Sequence, residues 1–440
     1  MRKAMKRDTR GRRRVVITGY GTLNPLGRNA EETFGRAVRG ESGIDYIKGF
    51  DTTGLPCRIG GEVPDDWLEP LQRYVPYRES RIDKYGFRAT RLMALATREA
   101  AGMARLHEVG TRSRIGVSLG SHGENPRVED MVFLHRHYRE GEGWDLAALE
   151  SAGGYPGLSF LRRKPDVAAA MLAKLFDCRG PNLSIVSACA AGSQAIGEGM
   201  KLIQDDKCDL MVAGGCEATL NFMGFIGFVL IQALAQKYRS PQTASRPFDR
   251  KRNGFVMSEG AGAVILEELE HARRRGATIL GEVKGYADSA DAYRITDTHP
   301  KGEGAIIAMQ GAMDDAGVDP GEIGYINAHG TSTTQNDQTE TRAIQAVFGE
   351  RAGAIPISSN KSMLGHTIAA AGAIECILTV MGLDRSLILP TINYEFPDKK
   401  CRLDYVPNEA RPHSYRYALS NSFGFGGQNA CLCLAAYQPG

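Results

Sequence analysis

The chain has 440 residues, of which 42% are hydrophobic and 24% charged, so it can bury one large core or two smaller ones. Lys and Arg total 54 against 51 for Asp and Glu, and this near balance does not indicate a nucleic-acid partner. The nine cysteines lack the paired short spacings of a disulfide framework or a zinc site, which predicts reduced thiols in a cytoplasm.

Two stretches bear on targeting and membranes. Residues 1–13, MRKAMKRDTRGRR, are basic and are not followed by an apolar segment, which predicts a mostly solvated tail rather than a secretory signal. The most apolar stretch, residues 222–235, is shorter than the ~20 residues of a membrane-spanning helix and is interrupted by glycines. It is therefore predicted to belong to the core, and no membrane span is expected.

Short apolar, β-branched segments alternate with helical segments along the rest of the chain. Strands are predicted at 15–18, 115–119, 183–186, 210–213, 263–266, 323–328 and 355–358. Helices are predicted at 83–105, 165–176, 302–316 and 365–383. This alternation indicates βαβ units, a largely parallel sheet and an α/β fold. A helix followed by a new strand near residue 277, with no flexible linker, predicts two packed halves, 14–276 and 277–440.

Cys189 stands where a predicted strand gives way to a predicted helix. The strand at 183–186 leads into it, and the small residues from 190 to 200 suit a tightly packed helix. The sequence therefore predicts Cys189 at a helix N-terminus, where unpaired N–H groups and the helix dipole favour an anion. Such a position would stabilise the thiolate, which is the nucleophilic form of cysteine.

Two further motifs stand at predicted strand ends, and a third is predicted to form a turn between two strands. His329 lies in NAHGTSTTQND, Lys361 and His366 lie in SSNKSMLGHTIAAAG, and a glycine-rich turn, SNSFGFGGQNA, spans residues 420–430. Each is weak alone, because a single buried histidine is more often a core residue than a catalyst. Together, in this order and spacing, the motifs resemble those of the elongating β-ketoacyl-acyl carrier protein synthases, condensing enzymes of fatty acid synthesis. The resemblance extends from about residue 14 to about residue 435.

The resemblance implies a fold and a reaction. The fold is thiolase-like, with two related βαβ-rich halves in α-β-α-β-α layers, the first half carrying Cys189 and the second the histidines and the lysine. The reaction is a decarboxylative Claisen condensation. An acyl group passes from an acyl carrier protein to Cys189, malonyl-acyl carrier protein loses carbon dioxide, and the carbanion extends the chain by two carbons.

The resemblance also implies roles for the side chains nearest the reaction. His329 and His366 would donate hydrogen bonds to the enolate oxygen of the malonyl thioester. The backbone N–H groups of Cys189 and Phe425 would bind the oxyanion of each tetrahedral intermediate. The Phe425 ring would also gate the acyl pocket, although an aromatic residue between glycines can simply fill a core.

Four more residues match supporting positions of the family. Lys361 would pair with Glu375 and tune the histidines, and a purely structural ion pair is the alternative. Thr331 and Thr333 would hydrogen-bond the pantetheine arm, and simple turn chemistry is the alternative. The mechanism requires no metal and no redox cofactor.

Some positions depart from the family pattern, so the sequence predicts the reaction but not the acyl chain length. The family's usual threonine after GFGG is Gln428, the residue before the lysine is Asn360, and the usual proline after HGTST is Thr334. Residues 124–164 also differ from ordinary elongating synthases. In the family this region approaches the dimer interface and the deep acyl pocket.

Rival interpretations differ in specific residues. A thiolase would carry a second cysteine in the C-terminal glycine-rich motif, which GFGG lacks. An initiating synthase would have Asn where His366 stands, and a non-catalytic chain-length-factor subunit would usually lack Cys189. A ketosynthase of a specialised lipid or polyketide pathway would use the same residues and stays open.

Two partners are predicted. An acidic acyl carrier protein is expected to dock on basic residues near the pocket mouth, namely Arg78, Arg81 and Lys84, with Lys237 and Arg239 as weaker candidates. A second copy of the chain is expected from the family, with the apolar stretch at 222–235 as a candidate part of the interface.

Overall fold

The computed structural model describes residue 8 and residues 10–68, 86–153, 163–294 and 298–438. The strands in this part are β1 Val15–Leu23, β2 Asp45–Tyr46, β3 Ile59–Gly60, β4 Ile115–Gly120, β5 Tyr138–Arg139, β6 Gly143–Trp144, β7 Asn182–Ile185, β8 Leu210–Glu217, β9 Gly260–Glu268, β10 Gly281–Ala290, β11 Ile323–Asn327, β12 Ile357–Ser358, β13 Leu387–Ile388, β14 Arg411–Pro412, β15 Tyr417–Phe423 and β16 Gln428–Ala435. The helices are α1 Ala30–Val38, α2 Arg88–Met103, α3 Val128–Arg136, α4 Leu146–Ser151, α5 Asp166–Leu175, α6 Ala191–Gln204, α7 Phe222–Leu230, α8 Leu269–Arg274, α9 Glu303–Ala316, α10 Thr334–Phe348, α11 Lys361–Leu364 and α12 Ala371–Arg385.

Every predicted strand overlaps an observed one, and three of the four predicted helices match α2, α5 and α9 over most of their length. The predicted helix at 365–383 begins later, as α12. Gly365 has a φ of +71°, which ends α11, and His366 then forms a β-bridge with Met257. Backbone pairing with another segment therefore displaces the first turn of the helix that the sequence pattern predicts.

Ten strands of the described part form one sheet in the order β12-β11-β15-β16-β10-β1-β9-β8-β4-β7. Each half contributes five strands with the same internal order, first-fifth-fourth-second-third in chain order, and β1 and β10 join the halves. The prediction of a largely parallel sheet is wrong. β4 is parallel to β7 and β8, and β11 is parallel to β12 and β15, but the remaining neighbours are antiparallel. A short turn at 424–427 joins β15 to β16, and so short a connection fits only antiparallel neighbours.

Two helices lie between the half-sheets. Thirteen of the fifteen residues of α12 are buried, and this helix packs against β9 of the first half and β15 of the second. Helix α6 lies beside it, while α2 covers the first half-sheet from outside and α9 covers the second. The structure therefore has the predicted α-β-α-β-α layers, with its central core around α6 and α12.

The predicted solvated tail does not extend to its last residue. Arg13 is only 6% exposed, and its Nη1 atom donates to the carbonyl oxygens of Ile203 and Cys208 at 3.0 Å each. Its Nη2 atom lies 2.5 Å from Oδ1 of Asp209. A buried guanidinium is tolerated because it is paired and hydrogen-bonded, so this part of the predicted tail is anchored to the body of the protein.

The apolar stretch at 222–235 is only partly core. Phe225 is fully buried, whereas Leu230 and Ile231 at the end of α7 are 74% and 52% exposed. Within the described residues, no helix combines the length and the apolar character needed to cross a membrane.

Candidate active site

Cys189 lies at a sharp turn between β7 and α6. Ala188 has a φ of +47°, which is uncommon for a residue with a side chain, and a short 3₁₀ turn at Ala188–Ala190 leads directly into α6. This turn places the 2%-exposed side chain of Cys189 at the N-terminal end of the helix. The predicted position of the cysteine is confirmed.

His329 and His366, far away in the sequence, meet Cys189 in space. The Nε2 atom of His366 lies 3.0 Å from Sγ of Cys189, and the ligand-forming atoms of the three side chains lie within 4.8 Å of one another. The two imidazole rings are nearly perpendicular, with centroids 5.3 Å apart. His329 follows β11 at the carboxyl edge of the sheet, and a β-bridge positions His366.

Both histidines are neutral at ordinary pH. Burial and the positive charge of Lys361 lower the pKa of His366 well below 6.5, and the same causes with a contribution from His366 lower the pKa of His329. The backbone N–H of Ile368 donates to Nδ1 of His366 at 3.3 Å, which assigns the single ring proton to Nε2. His366 therefore directs an N–H donor toward the sulfur of Cys189.

Cys189 rests as a thiol, because the helix N-terminus favours the thiolate as expected but a larger effect opposes it. Burial raises the pKa of Cys189 to about 11, although the backbone N–H of Phe425, the charge of Lys361 and the N–H of Cys189 act in the opposite direction. Loss of hydration in the buried site outweighs the donors at the helix N-terminus. The thiol must therefore lose its proton as the substrate reacts.

The backbone N–H groups of Phe425 and Cys189 both approach the sulfur, as binding of a tetrahedral oxyanion at this point requires. Gly424 makes this approach possible. A β-carbon at position 424 would lie 3.0 Å from the carbonyl oxygen of Ser187 and 3.2 Å from the backbone nitrogen of Cys189. A side chain there would separate the two donors.

Lys361 and Glu375 form a buried ion pair, with Nζ 2.5 Å from Oε1. Burial raises the pKa of Glu375 to about 7, although the adjacent Lys361 acts to lower it. Lys361 begins α11 and Glu375 lies in the central helix α12. The pair thus connects the segment that carries His366 to the layer between the half-sheets.

A cavity of about 470 Å³ opens over the cysteine and both histidines. Thr331 and Thr333 line it, their Oγ1 atoms are 3.0 Å apart, and Thr333 also caps helix α10. Phe425 lines the cavity too, and its ring lies 6.1 Å from that of Phe228. The structure therefore brings these predicted residues to the cavity that carries the cysteine, while Lys361 and Glu375 lie behind it.

The three departures from the family pattern differ in their distance from this cavity. Thr334 lines it, whereas Asn360 and Gln428 are not among its lining residues. The side-chain oxygens of Asn360 and Gln428 are buried without a hydrogen-bond partner among the described residues.

Glu340, which was not among the predicted site residues, holds the His329 loop. Its two carboxylate oxygens accept hydrogen bonds from the backbone N–H groups of His329 and Gly330, each at 2.8 Å. Asn421 donates a third hydrogen bond at 3.2 Å, and burial raises the pKa of Glu340. The available signal was an acidic residue three positions before the buried Ala343, in the segment that forms α10.

The Cys189, His329 and His366 cluster also has the ligand types and spacing that a small zinc site would need. The sequence predicts that no metal takes part, and this stays a prediction.

Comparison with known proteins identifies the family. Residues 12–272 match the model of the β-ketoacyl synthase N-terminal domain, and residues 280–395 match that of the C-terminal domain. The chain belongs to the β-ketoacyl synthase family. It is a condensing enzyme of the acyltransferase class, as the motifs predicted.

Curated relatives are similar over nearly the whole chain. The 3-oxoacyl-[acyl-carrier-protein] synthase 2 of Staphylococcus aureus (strain COL) is 39% identical over 428 residues, covering 97% of this chain and 99% of the relative. The enzyme of the same name from Synechocystis sp. is 40% identical over 433 residues, with the same coverage.

Solved β-ketoacyl synthase structures share the fold. The ishigamide ketosynthase/chain length factor superimposes with a TM-score of 0.84 at 32% identity, covering 97% of this chain and 100% of the other. A β-ketoacyl synthase from Burkholderia phymatum gives the same values. A type II polyketide ketosynthase solved with its acyl-carrier protein gives a TM-score of 0.83 at 32% identity and the same coverage.

The predicted carrier-binding residues Arg78, Arg81 and Lys84 lie outside the described residues. Lys237 and Arg239 are described and exposed. The side chain of Asn253, which lines the cavity, bonds to the backbone of Lys237 at 3.0 and 2.8 Å. Lys237 therefore lies beside the mouth of the cavity.

Proposed function

We propose that the protein is a β-ketoacyl-acyl carrier protein synthase of fatty acid biosynthesis, which condenses an acyl group on Cys189 with malonyl-acyl carrier protein. The observation that carries the proposal is the cysteine thiol at a helix N-terminus, 3.0 Å from one of two neutral histidines, in a cavity of about 470 Å³.

In the first half-reaction, Cys189 attacks the acyl thioester of the carrier protein. The oxyanion that forms is bound by the N–H groups of Cys189 and Phe425, which already converge on this position. The C–S bond to the carrier then breaks, and the pantetheine thiolate leaves and takes up the proton that the Cys189 thiol has lost. The resting thiol limits this step, because its pKa of about 11 leaves little thiolate at neutral pH.

In the second half-reaction, malonyl thioester enters the cavity after the first pantetheine arm has left, and its own pantetheine arm lies beside Thr331 and Thr333. Loss of carbon dioxide produces an enolate, and the neutral rings of His329 and His366 stabilise its oxygen by donating N–H groups. Neutral rings suit this role because each has one N–H and no charge that the buried site would have to solvate. The carbanion then attacks the acyl carbonyl carbon, the C–S bond to Cys189 breaks, and the released thiolate takes up a proton. The product is a β-ketoacyl thioester on the carrier protein, two carbons longer than the starting acyl group.

Intact-protein mass spectrometry with a panel of acyl carrier proteins tests the proposal. We expect saturated acyl chains to add one acyl mass to the wild-type protein and none to a Cys189→Ala variant. Cys216→Ser is the matched control, because Cys216 is also fully buried but does not line the cavity. Acylation that persists in Cys189→Ala would contradict the assigned nucleophile.

A ketosynthase of a specialised pathway is the second candidate, because a type II polyketide ketosynthase and the ishigamide ketosynthase/chain length factor share the fold at 32% identity. The curated relatives at 39% identity are named as synthases of the 3-oxoacyl-[acyl-carrier-protein] type and favour fatty acid synthesis. The same acyl panel distinguishes the two, since a specialised enzyme would accept β-oxo or branched chains in preference to saturated ones. The presence of Cys189 disfavours a non-catalytic chain-length-factor subunit.

The carrier protein is proposed to dock at the cavity mouth beside Lys237 and Arg239. Rim charges act mainly on association rate and its salt dependence. Lys237→Glu with Arg239→Glu should therefore lower kcat/KM for carrier-bound substrate, most at low salt. Lys207→Glu is the matched control, because Lys207 is exposed near the start of β8, at the opposite edge of the sheet. Unchanged kinetics in the double variant would reject this footprint.

A homodimer is proposed, supported by the family and by the exposed apolar residues at the end of α7, Leu230 and Ile231. Analytical ultracentrifugation at micromolar concentration should give the mass of two chains. A monomer under these conditions would contradict the proposal.

The division at residue 277 and a cytoplasmic location remain proposals. The matches to the two family models end at 272 and begin again at 280, which supports a boundary between them. All nine cysteines are free thiols, which suits a reducing compartment. Limited proteolysis and cell fractionation test the two proposals.

A further inference from the structure

A second histidine and a second carboxylate lie at the sheet edge that carries Cys189. Strands β7, β4 and β8 are adjacent and parallel, so their carboxyl ends meet at one edge. β7 leads to Cys189, β4 is followed after one residue by His122, and β8 ends at Glu217. Neither His122 nor Glu217 has a part in the mechanism proposed above.

His122 and Glu217 form a partly buried ion pair. Nδ1 of His122 lies 2.6 Å from Oε2 of Glu217, and the side chains are 25% and 0% exposed. Burial acts to lower the pKa of His122, but the hydrogen bond and the charge of Glu217 outweigh it, so the pKa is raised. His122 therefore keeps its positive charge to a higher pH than an ordinary histidine does.

His122 is the internal counterpart of His329. Ser-His-Gly follows β4 and Ala-His-Gly follows β11, the equivalent strand of the second half, and both glycines have a positive φ. The two histidines differ in charge. Glu340 binds the backbone of His329 and leaves its ring neutral, whereas Glu217 binds the ring of His122 directly.

Because β8 ends at the sheet edge that carries Cys189, the buried carboxylate of Glu217 lies on the same side of the sheet as the nucleophile. The charges that most affect Cys189 are Lys361, which lowers its pKa, and Glu217, which raises it. His329 and His366 are neutral, and the nearby thiol of Cys216 is neutral too, because burial raises its pKa to about 12. His122 is hydrogen-bonded to Glu217, and the positive charge of its imidazolium compensates the negative charge of Glu217.

We propose that His122 is a positioning residue for the nucleophile, which compensates the buried charge of Glu217 and so keeps Cys189 reactive. The inference rests on the proposed role of Cys189. It concerns the reactivity of the thiol itself, however, and can be tested without carrier protein or acyl substrate.

The test is the rate at which methyl methanethiosulfonate, a small thiol reagent, modifies Cys189 in the full-length protein. The rate is measured from about pH 6 to about pH 9 by peptide mass spectrometry. The window starts below the ordinary histidine pKa of 6.5, above which the pKa of His122 is raised, and His329 and His366 stay neutral throughout it. In the wild type, the logarithm of the rate should rise less than one unit per pH unit while His122 loses its proton. The reason is that deprotonated His122 no longer compensates the charge of Glu217, which makes the Cys189 thiolate less favourable.

Two variants give opposite signatures. In His122→Gln, Glu217 stays uncompensated, so the rate at about pH 6.5 should fall roughly threefold to tenfold and then meet the wild-type rate at high pH. In Glu217→Gln, the opposing charge is gone, so the rate should exceed the wild-type rate at high pH and rise with unit slope. A double variant should behave like Glu217→Gln. A purely structural role would slow or unfold all three variants alike.

The chain offers a matched control in His271 and Glu267. Their Nδ1 and Oε1 atoms are also 2.6 Å apart, and the side chains are 21% and 0% exposed. Glu267 lies near the carboxyl end of β9, which is antiparallel to β8, so this pair is at the opposite edge of the sheet. His271→Gln should keep the wild-type pH profile.

The proposal is overturned if the His122→Gln profile superimposes on the wild type, or if His271→Gln shows the same change. If His122→Gln does not fold, Glu217→Gln alone tests the proposal. A modification rate of Cys189 in Glu217→Gln that equals the wild-type rate at high pH then overturns it. If instead the proposed function is wrong, Cys189 should still show these pH profiles but should accept no acyl group from a carrier protein.

Discussion

The Nζ atom of Lys361 lies 2.5 Å from Oε1 of Glu375, and each of these side chains is 2% exposed. The pair combines two roles, because Lys361 lowers the pKa of both catalytic histidines while Glu375 ties it to the central helix. A buried pair of this kind is costly to break, since removing one partner leaves an uncompensated charge. The ion pair can therefore stabilise the fold and also affect the histidines electrostatically.

The titration of Glu375 should make stability depend on pH. Its pKa is raised from 4.5 to about 7, so the folded state binds the proton more tightly than the unfolded state. The stability that this group contributes is present below pH 4.5 and is lost as the pH rises through about 7, by on the order of 3 kcal/mol. Glu375→Gln cannot titrate at this position. Its free energy of unfolding, relative to that of the wild type, should therefore rise by about this much between about pH 5 and about pH 8.

Urea unfolding of both proteins at the two pH values measures this difference. The cost of leaving Lys361 without its partner is the same at both pH values and cancels. Glu150→Gln, at an exposed position on α4, is the control and should show no such change. A constant difference between wild type and Glu375→Gln would show that Glu375 does not titrate in this range.

Two substitutions should separate the chemical steps. In Cys189→Gln, the amide carbonyl can occupy the oxyanion hole and imitate the loaded thioester, so decarboxylation of malonyl carrier protein should persist or rise while condensation is lost. In His366→Ala, Cys189 can still be acylated, but decarboxylation should fall by roughly 10²–10³, the usual effect of one lost oxyanion donor.

Release of carbon dioxide and the mass of the acyl-enzyme measure the two steps independently. Cys189→Ser is a useful companion, because it removes the better nucleophile without adding a carbonyl, and acyl transfer should collapse. Loss of decarboxylation in Cys189→Gln together with its survival in His366→Ala would refute the division of labour.

Gly424→Ala should damage the oxyanion hole. The new β-carbon would lie 3.0 Å from the Ser187 carbonyl oxygen and 3.2 Å from the Cys189 nitrogen, which moves the Phe425 N–H away from the sulfur. The acylation rate should fall by about 10²-fold or more, as for other lost oxyanion donors. Gly102→Ala on α2 is the control, because position 102 also lacks a positive φ but has open space around it. An acylation rate in Gly424→Ala equal to that of Gly102→Ala would contradict the proposed effect on the oxyanion hole.

Much of this arrangement could be predicted from the sequence. The strand-end positions of Cys189 and His329 follow from local apolar patterns, and the order of the motifs that carry Cys189, His329 and His366 identifies the family. The parallel or antiparallel direction of a strand depends on its long-range partners, so the expectation of a largely parallel sheet went wrong. The boundary of α12 was misplaced for the same reason, because the pairing of His366 with Met257 joins segments far apart in the chain.

The protonation state of Cys189 shows a different limit. The local rule that a helix N-terminus favours a thiolate is sound, but burial acts in the opposite direction and is larger here. Burial is a property of the whole fold, since residues from both halves enclose this side chain. The role of Glu340 was missed because its partners are the backbone N–H groups of His329 and Gly330, and every residue type except proline offers such a donor.

Glu340→Gln should separate the support of His329 from the reactivity of Cys189. Both carboxylate oxygens of Glu340 accept a backbone N–H at 2.8 Å, and an amide can accept only one of these bonds. The unsatisfied N–H should cost about 1–3 kcal/mol of stability and let the His329 loop shift. Decarboxylation should then fall, whereas acylation of Cys189 should stay near the wild-type rate, because the oxyanion donors are unchanged. Thermal unfolding and the two step-specific assays measure these effects, and an equal loss of both steps would show that Glu340 supports the whole site rather than His329.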